Sequence, residues 1–264
     1  MGIVNATPDS FYEGSRRLTA EGIARRAREM CDEGAAIIDV GACSTRPDSS
    51  PCSEEEEIGR LRVALPAVRR AVPEAVVSVD TFRASVARVA VEELGADMVN
   101  DVSEASDPEM MRMVARLGVP YVLTSVEGEL EPMLIRWARE VQQLRDYGQR
   151  DILLDPGFGF GTTREQDWLL LSQLDRMLVM GLPVVVGLSR KRMIREAAAT
   201  DVEGALAGTV AAETIALMKG AAVLRAHDVR AAADACKIKM GLFDRMNMIN
   251  IKRKSVLTPH FLTG

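Results

Sequence analysis

Residues 35–80 read AAIIDVGACSTRPDSSPCSEEEEIGRLRVALPAVRRAVPEAVVSVD, and this stretch decides the fold. It opens on an apolar run, Ala35–Gly41, that carries Asp39, and closes on a second, Val76–Asp80, that ends in an aspartate. Both runs are too continuously apolar for half-exposed antiparallel strands and suit parallel strands covered on both faces. Between them, Ser53 followed by Glu56 is a capping box that opens a helix. Ile58, Leu61, Leu65 and Val68 then share one helical face. The unit is therefore strand, helix, strand. A loop rich in Pro, Ser and Asp, Ser44–Pro51, follows the first strand.

The same unit recurs along the chain. Further strand candidates are Gly2–Ala6, Met98–Val102, Pro120–Thr124, Ile152–Asp155, Val184–Leu188 and Ala221–Ala226. Ile23, Ala27, Met30 and Cys31 share a helical face between the first two strands. Eight strands with intervening helices predict an α/β fold, a single-domain (β/α)8 TIM barrel over residues 1–240. The main rival is a doubly wound open sheet. The Gly-rich fingerprint that such a sheet often carries is absent after the first strand, where the sequence is ATPDSF. The first strand begins at Met1, so no preceding residues are expected to plug the barrel bottom. From Lys237 the composition shifts, with four of the chain's six lysines and two of its four asparagines. The end of the chain reads as an extension of the last helix followed by a solvated tail, 241–264.

Composition narrows the function classes. The chain has 264 residues, 47% hydrophobic and 27% charged, which is ordinary for a globular protein with one ample core. No apolar stretch approaches the ~20 residues of a membrane span. Asn5 and Asp9 interrupt any secretory leader, so a cytoplasmic protein without membrane partners is expected. A net charge of −5 gives no support for nucleic-acid binding. Cys31, Cys43, Cys52 and Cys236 form no C-x-x-C pair and have few histidines for company. Free thiols are expected rather than a zinc site.

Three residue types are rare in the body of the chain, and their few copies fall at strand ends. Before residue 247 the only asparagines are Asn5 and Asn100, the only histidine is His227, and no lysine precedes Lys191. Asp39, Asp80 and Asp155 close apolar runs in the same way. Barrel enzymes build their sites at the C-terminal ends of the strands, so these residues predict one polar site on an apolar barrel. Asp80, Asp155 and Asn100 suit a flat heterocycle with an amino-amidine edge, because a carboxylate accepts two parallel N–H bonds and an amide both donates and accepts. The alternative for each Asp is a simple helix cap. Lys191 offers a point charge for a ring carbonyl. Arg225 and His227 stand two apart, hence on one face of the last strand, and suggest a phosphate or diphosphate. A core histidine with an ion-paired arginine is the alternative. The loops at Ala6–Ser15 and Ser44–Pro51 read as lids, the second carrying Arg46.

Together these residues closely resemble the dihydropteroate synthase family. MGIVNATPDSF, IIDVGACSTRP, VSVDTFR, MVNDVS, LLDPGFGFG, GLSRK and RAHDV occur in the family's order from Met1 to about Ala235. The resemblance implies a (β/α)8 barrel, usually a homodimer. Its reaction joins 4-aminobenzoate to 6-hydroxymethyl-7,8-dihydropterin diphosphate in folate biosynthesis. It implies that Asp80, Asn100, Asp155 and Lys191 hold the pterin, and that Thr45, Arg225 and His227 hold the diphosphate. Lys191, Arg225 and His227 would carry catalysis. Asn5 would bind Mg²⁺, and Asp9, Arg46 and Ser189 would serve the aminobenzoate side.

Some positions depart from the family pattern. Thr162 stands where a lysine is usual after GFG, and Asp167 where an asparagine is usual. Thr124-Ser125 replaces a Met-His pair after the fifth strand, and Arg192 replaces a serine after SRK. These departures raise a second expectation, a pterin-binding paralogue without turnover. A third, a methyltetrahydrofolate-binding methyltransferase barrel, would need no diphosphate site.

Overall fold

The computed structural model describes residues 1–7, 19–43 and 52–256, with side chains as far as Leu242. Strands and helices alternate as β1 Gly2–Asn5, α1 Ala20–Glu33, β2 Ile37–Gly41, α2 Glu54–Ala71, β3 Val76–Asp80, α3 Ala84–Glu92, β4 Met98–Asp101 and α4 Met110–Leu117. They continue as β5 Tyr121–Thr124, α5 Leu130–Asp146, β6 Ile152–Asp155, α6 Arg164–Ser172, α7 Leu174–Met177, β7 Val185–Val186, α8 Arg192–Ala197, α9 Leu206–Met218, β8 Val223–Leu224 and α10 Val229–Val256. All pairings are parallel. β1 to β6 pair in chain order and β7 pairs with β8. Single bridges from Leu154 to Val184 and from Gly2 to Ala226 close the ring. The molecule is the (β/α)8 barrel that the alternation of runs predicts.

The register decides which side chains enter the barrel. Directly paired residues leave the sheet on one face, and the face alternates with period two. Gly41, Asp80, Asn100 and Val122 lie in one register row, and Thr124 pairs with Asp155. Met98, Val122 and Val185 form a buried interior cluster with Met1, Ile37, Leu153 and Val223 around it. Hence the polar residues two positions further along the same strands also face inward, at the mouth.

The opposite parity packs against the helices. Val40, Val79, Val99, Leu123 and Leu154 are fully buried beneath them. The expected helical faces meet this layer: Ile23, Ala27 and Met30 from α1, and Leu61, Leu65 and Val68 from α2, are buried. Burying each large aliphatic contributes roughly 1.5–3 kcal/mol, so this face rather than propensity fixes the helices. The Ser53 hydroxyl accepts from Glu56 N–H at 3.2 Å, and Glu56 reaches back to Ser53 N–H at 2.9 Å, so the capping box forms as expected.

Three expectations need adjustment. β7 and β8 are two residues each, shorter than the apolar runs that contain them, because their flanks join the ring through the isolated bridges and single bonds such as Arg225 N–H to Val186 O. Cys43 and Cys52 are joined in a disulfide, whereas four free thiols were expected; Cys31 and Cys236 are free. The two ends of the loop after β2 bring those Cα atoms to 5.8 Å, inside bonding range, which a separation of nine residues does not reveal. α10 also carries the chain past residue 240 without a break. Among the described residues, no helix is long and apolar enough to cross a membrane.

Candidate active site

The barrel mouth is organised around one buried guanidinium. Arg225, just past β8, donates from Nε to Asp39 Oδ2 at 2.7 Å and from Nη2 to Asp80 Oδ2 at 2.6 Å. The Asn100 amide donates to the same Asp39 oxygen at 3.0 Å. Strands β2, β3, β4 and β8 are thereby tied across the interior. Burial pushes the Asp80 carboxyl up to about 7; Arg225 pulls it down, and Asp39 pushes it up again. Burial would lower the Arg225 guanidinium, but the two carboxylates outweigh it and hold the group well above its ordinary range. A buried charge persists only with such partners.

Asp155 closes β6 and is buried. Its Oδ1 accepts from Gly157 N–H at 2.8 Å. Burial raises its carboxyl, against the pull of that N–H and of Lys191. Gly157 has φ +71°, and a Cβ there would sit 1.8 Å from the Ser125 carbonyl oxygen. Only glycine allows the turn that turns its N–H onto Asp155. Lys191 follows β7 with its Nζ 4.2 Å from the centre of the Phe160 ring. Burial lowers its ammonium, and Asp155 works in the opposite direction. Asp155, Phe160, Ser189, Lys191, Arg225 and His227 line one cavity of about 110 Å³. His227 is fixed through its backbone: its N–H donates to Ser189 Oγ at 3.2 Å and its carbonyl accepts from Arg26 at 3.0 Å.

The structure thus gathers Asp80, Asn100, Asp155, Ser189, Lys191, Arg225 and His227 at one end of the barrel, with Asn5 at the end of β1 in the register row of Gly41 and Asp80. Asp9, Thr45 and Arg46 lie outside the described residues. Asp39 is the residue that site reasoning undervalued. It is fully buried, holds both Arg225 and Asn100, and its Oδ1 has no partner. Its signal was visible, an aspartate inside the apolar run AAIIDVG.

The departing positions are accommodated locally. Thr162 Oγ1 donates to Asp167 Oδ1 at 2.6 Å, and Gly159 N–H lies 3.0 Å from that same oxygen. The two changes answer each other and pin the glycine-rich loop. Ser125 Oγ donates to Glu104 at 3.2 Å, and the buried Glu104 also pairs with Arg136 at 2.8 Å. Arg192 is exposed, with Glu196 at 3.9 Å.

Chemically, the mouth offers carboxylates for N–H donors and cations for oxygens. Asn5 supplies one carboxamide oxygen, a hard ligand that fits a Mg²⁺ already carried by phosphate oxygens and is too little for a resident ion. Among the described residues the one cluster of metal-ligating types is Cys43, Cys52 and Glu57, beside the C-terminal ends of β2 and β3. Its thiols are joined, and Glu57 is held by Thr81 and Arg83.

Comparison with known proteins agrees with this geometry. The profile of the family described as pterin binding enzyme matches residues 1–227. The dihydropteroate synthase of Clostridium beijerinckii is 38% identical over 250 residues, 90% of this chain and 91% of its own length. The structure of Xanthomonas albilineans dihydropteroate synthase with 4-aminobenzoic acid superposes with a TM-score of 0.86 at 36% identity, over 91% of each chain. That of Coxiella burnetii, in complex with pteroic acid, gives 0.82 at 34% identity over 90% of each.

Proposed function

Because the chain belongs to the dihydropteroate synthase family of pterin-binding enzymes, we propose that its barrel mouth joins 4-aminobenzoate to 6-hydroxymethyl-7,8-dihydropterin diphosphate, forming 7,8-dihydropteroate and pyrophosphate. The observation that carries this reading is the pairing of Asp155 and Lys191 with Arg225 and His227 around one cavity. Acceptors for a heterocycle and cations for an anion share a single chamber.

In this reading Asp155, Asp80 and Asn100 hold the amino-amidine edge of the pterin, and Lys191 meets the ring carbonyl. Arg225, held by two carboxylates, presents a fixed positive charge, and with His227 and Thr45 it receives the diphosphate. The C–O bond to the diphosphate breaks first, and the oxygen leaves with the electron pair. The arylamine nitrogen then attacks the exocyclic methylene and loses a proton. An arylamine is already nucleophilic, so the chain's main task is to stabilise charge on the leaving group. Mg²⁺, bound with the diphosphate at Asn5, would supply further positive charge to those oxygens. Asp9, Arg46 and Ser189 would serve the aminobenzoate side.

One observation favours a pterin-binding relative without turnover: Arg192, a bulky exposed cation, stands beside Lys191 at the rim. The test is pyrophosphate release from the purified protein with the pterin diphosphate and Mg²⁺, with and without 4-aminobenzoate. Release that depends on aminobenzoate, with dihydropteroate formed, supports the synthase; pterin binding without product supports the other reading.

Apolar side chains left exposed on α6, α9 and the turn at 178–180, including Leu169, Val179, Ile215 and Met218, support a homodimer through this side. A sedimentation measurement decides it. We propose a cytoplasmic location. The Cys43–Cys52 disulfide stands against it, and a thiol count on protein blocked during extraction decides between them.

A further inference from the structure

The barrel interior holds one more polar group beside Asp155. Thr124 ends β5 and pairs in register with Asp155 of β6, so both side chains leave the sheet on its inner face. Thr124 is fully buried, and its hydroxyl has no hydrogen-bond partner. Its register partner Asp155 lines the cavity, and so does Val102, which follows β4. A buried hydroxyl without a partner is costly. A ligand that settles against Asp155 would supply the missing bond.

The direction of the ring follows from the order of the strands. Lys191 comes from the β7 side of Asp155, and Thr124 stands on the β5 side. With the ring carbonyl turned to Lys191, the Asp155 carboxylate takes the ring N–H and one N–H of the exocyclic amine. The amine then lies on the far side of Asp155 from Lys191, and its second N–H points toward β5.

We propose that Thr124 is a further pterin-contacting residue, whose hydroxyl oxygen accepts the second N–H of that exocyclic amine. The inference rests on the pterin-site reading above. It makes Thr124 a determinant of selectivity for amino-bearing rings, in a chain whose departures from the family pattern include this position.

The test is calorimetric binding of 6-hydroxymethylpterin and of its analogue lacking the 2-amino group to the full-length wild type, Thr124→Val and Thr124→Ser. Thr124→Val should bind the aminopterin about 10-fold more weakly, bind the deamino analogue as the wild type does, and melt no lower. Thr124→Ser should keep wild-type affinity for both. Thr124→Ala serves for the same comparison if the valine variant does not fold. Equal binding by wild type and Thr124→Val overturns the inference and leaves the pterin site standing. Equal losses for the two ligands make Thr124 structural and also overturn it. A wild type that binds neither ring removes the pterin-site reading itself, and this inference with it.

Discussion

Replacing Asp155 by asparagine should remove pterin binding while leaving the barrel standing. The carboxylate is assigned two bonds to the amino-amidine edge, each charge-assisted and worth roughly 1.5–3 kcal/mol. Asparagine turns one acceptor into a donor that faces an N–H of the ring. A loss of about 3–6 kcal/mol, on the order of 10²–10⁴ in affinity, is therefore expected. Stability should move the other way. The carbonyl of asparagine can still accept from Gly157 N–H, the 2.8 Å bond that shapes the turn. The burial that raises the Asp155 carboxyl is a cost that a neutral amide does not carry. Calorimetry with 6-hydroxymethylpterin and a thermal melt read the two effects separately. Asp155→Ala, which loses the bond to Gly157, should melt lower than Asp155→Asn. Affinity within about threefold of wild type, or an asparagine variant that melts lower than the alanine variant, would refute the reasoning.

Further expectations follow from the buried charges and from the disulfide. Arg225→Gln leaves Asp39 and Asp80 without their cation and should cost about 3–5 kcal/mol in urea unfolding near pH 8. The loss should shrink below pH 6, where Asp80, raised to about 7, is protonated. Glu140 on α5 is likewise raised to about 7 by burial, with Oε2 unpartnered. Its folded value lies above its unfolded one, so its contribution is present below about pH 4.5 and is lost as pH rises through 7. Glu140→Gln should flatten that fall and exceed wild-type stability at pH 8 by on the order of 1–3 kcal/mol; melts across pH 5–8 that run parallel in the two proteins would exclude it. Cys43→Ser should lower stability by roughly 2–3 kcal/mol through the short loop it reopens. Thiol titration of unfolded, unreduced wild type should count Cys31 and Cys236 alone.

The fold was legible because its signal is repeated. Eight apolar runs spaced by helical faces leave few alternatives, and Val76–Asp80 and Ile152–Asp155 are strands with the limits their sequences suggest. Short β7 and β8 were less legible, since closure of a ring through single bridges leaves no local trace in composition. The site residues were legible as rare polar types at strand ends. What they bond to was not. Asp39 looked like one strand-end aspartate among several, yet its partners come from β4 and from beyond β8, and only register brings them together. Thr162 and Asp167 each looked like a loss, because sequence does not show that one hydroxyl reaches the other carboxylate. The disulfide was hidden for the same reason: two ends of a loop meet in space without a motif.

The tie between Arg225, Asp39 and Asp80 also gives the chamber a direction. Val223 lies in β8, and Arg225 and His227 follow it toward the opening, with Asp155 and Lys191 lining the same cavity. Asp155 beside Lys191 suits N–H donors, while Arg225 and His227 in the same cavity offer positive charge for a phosphate. On the proposed reading, a ligand with a flat ring at one end and a diphosphate at the other would enter ring first, with its leaving group received by Arg225 and His227 within reach of the second substrate.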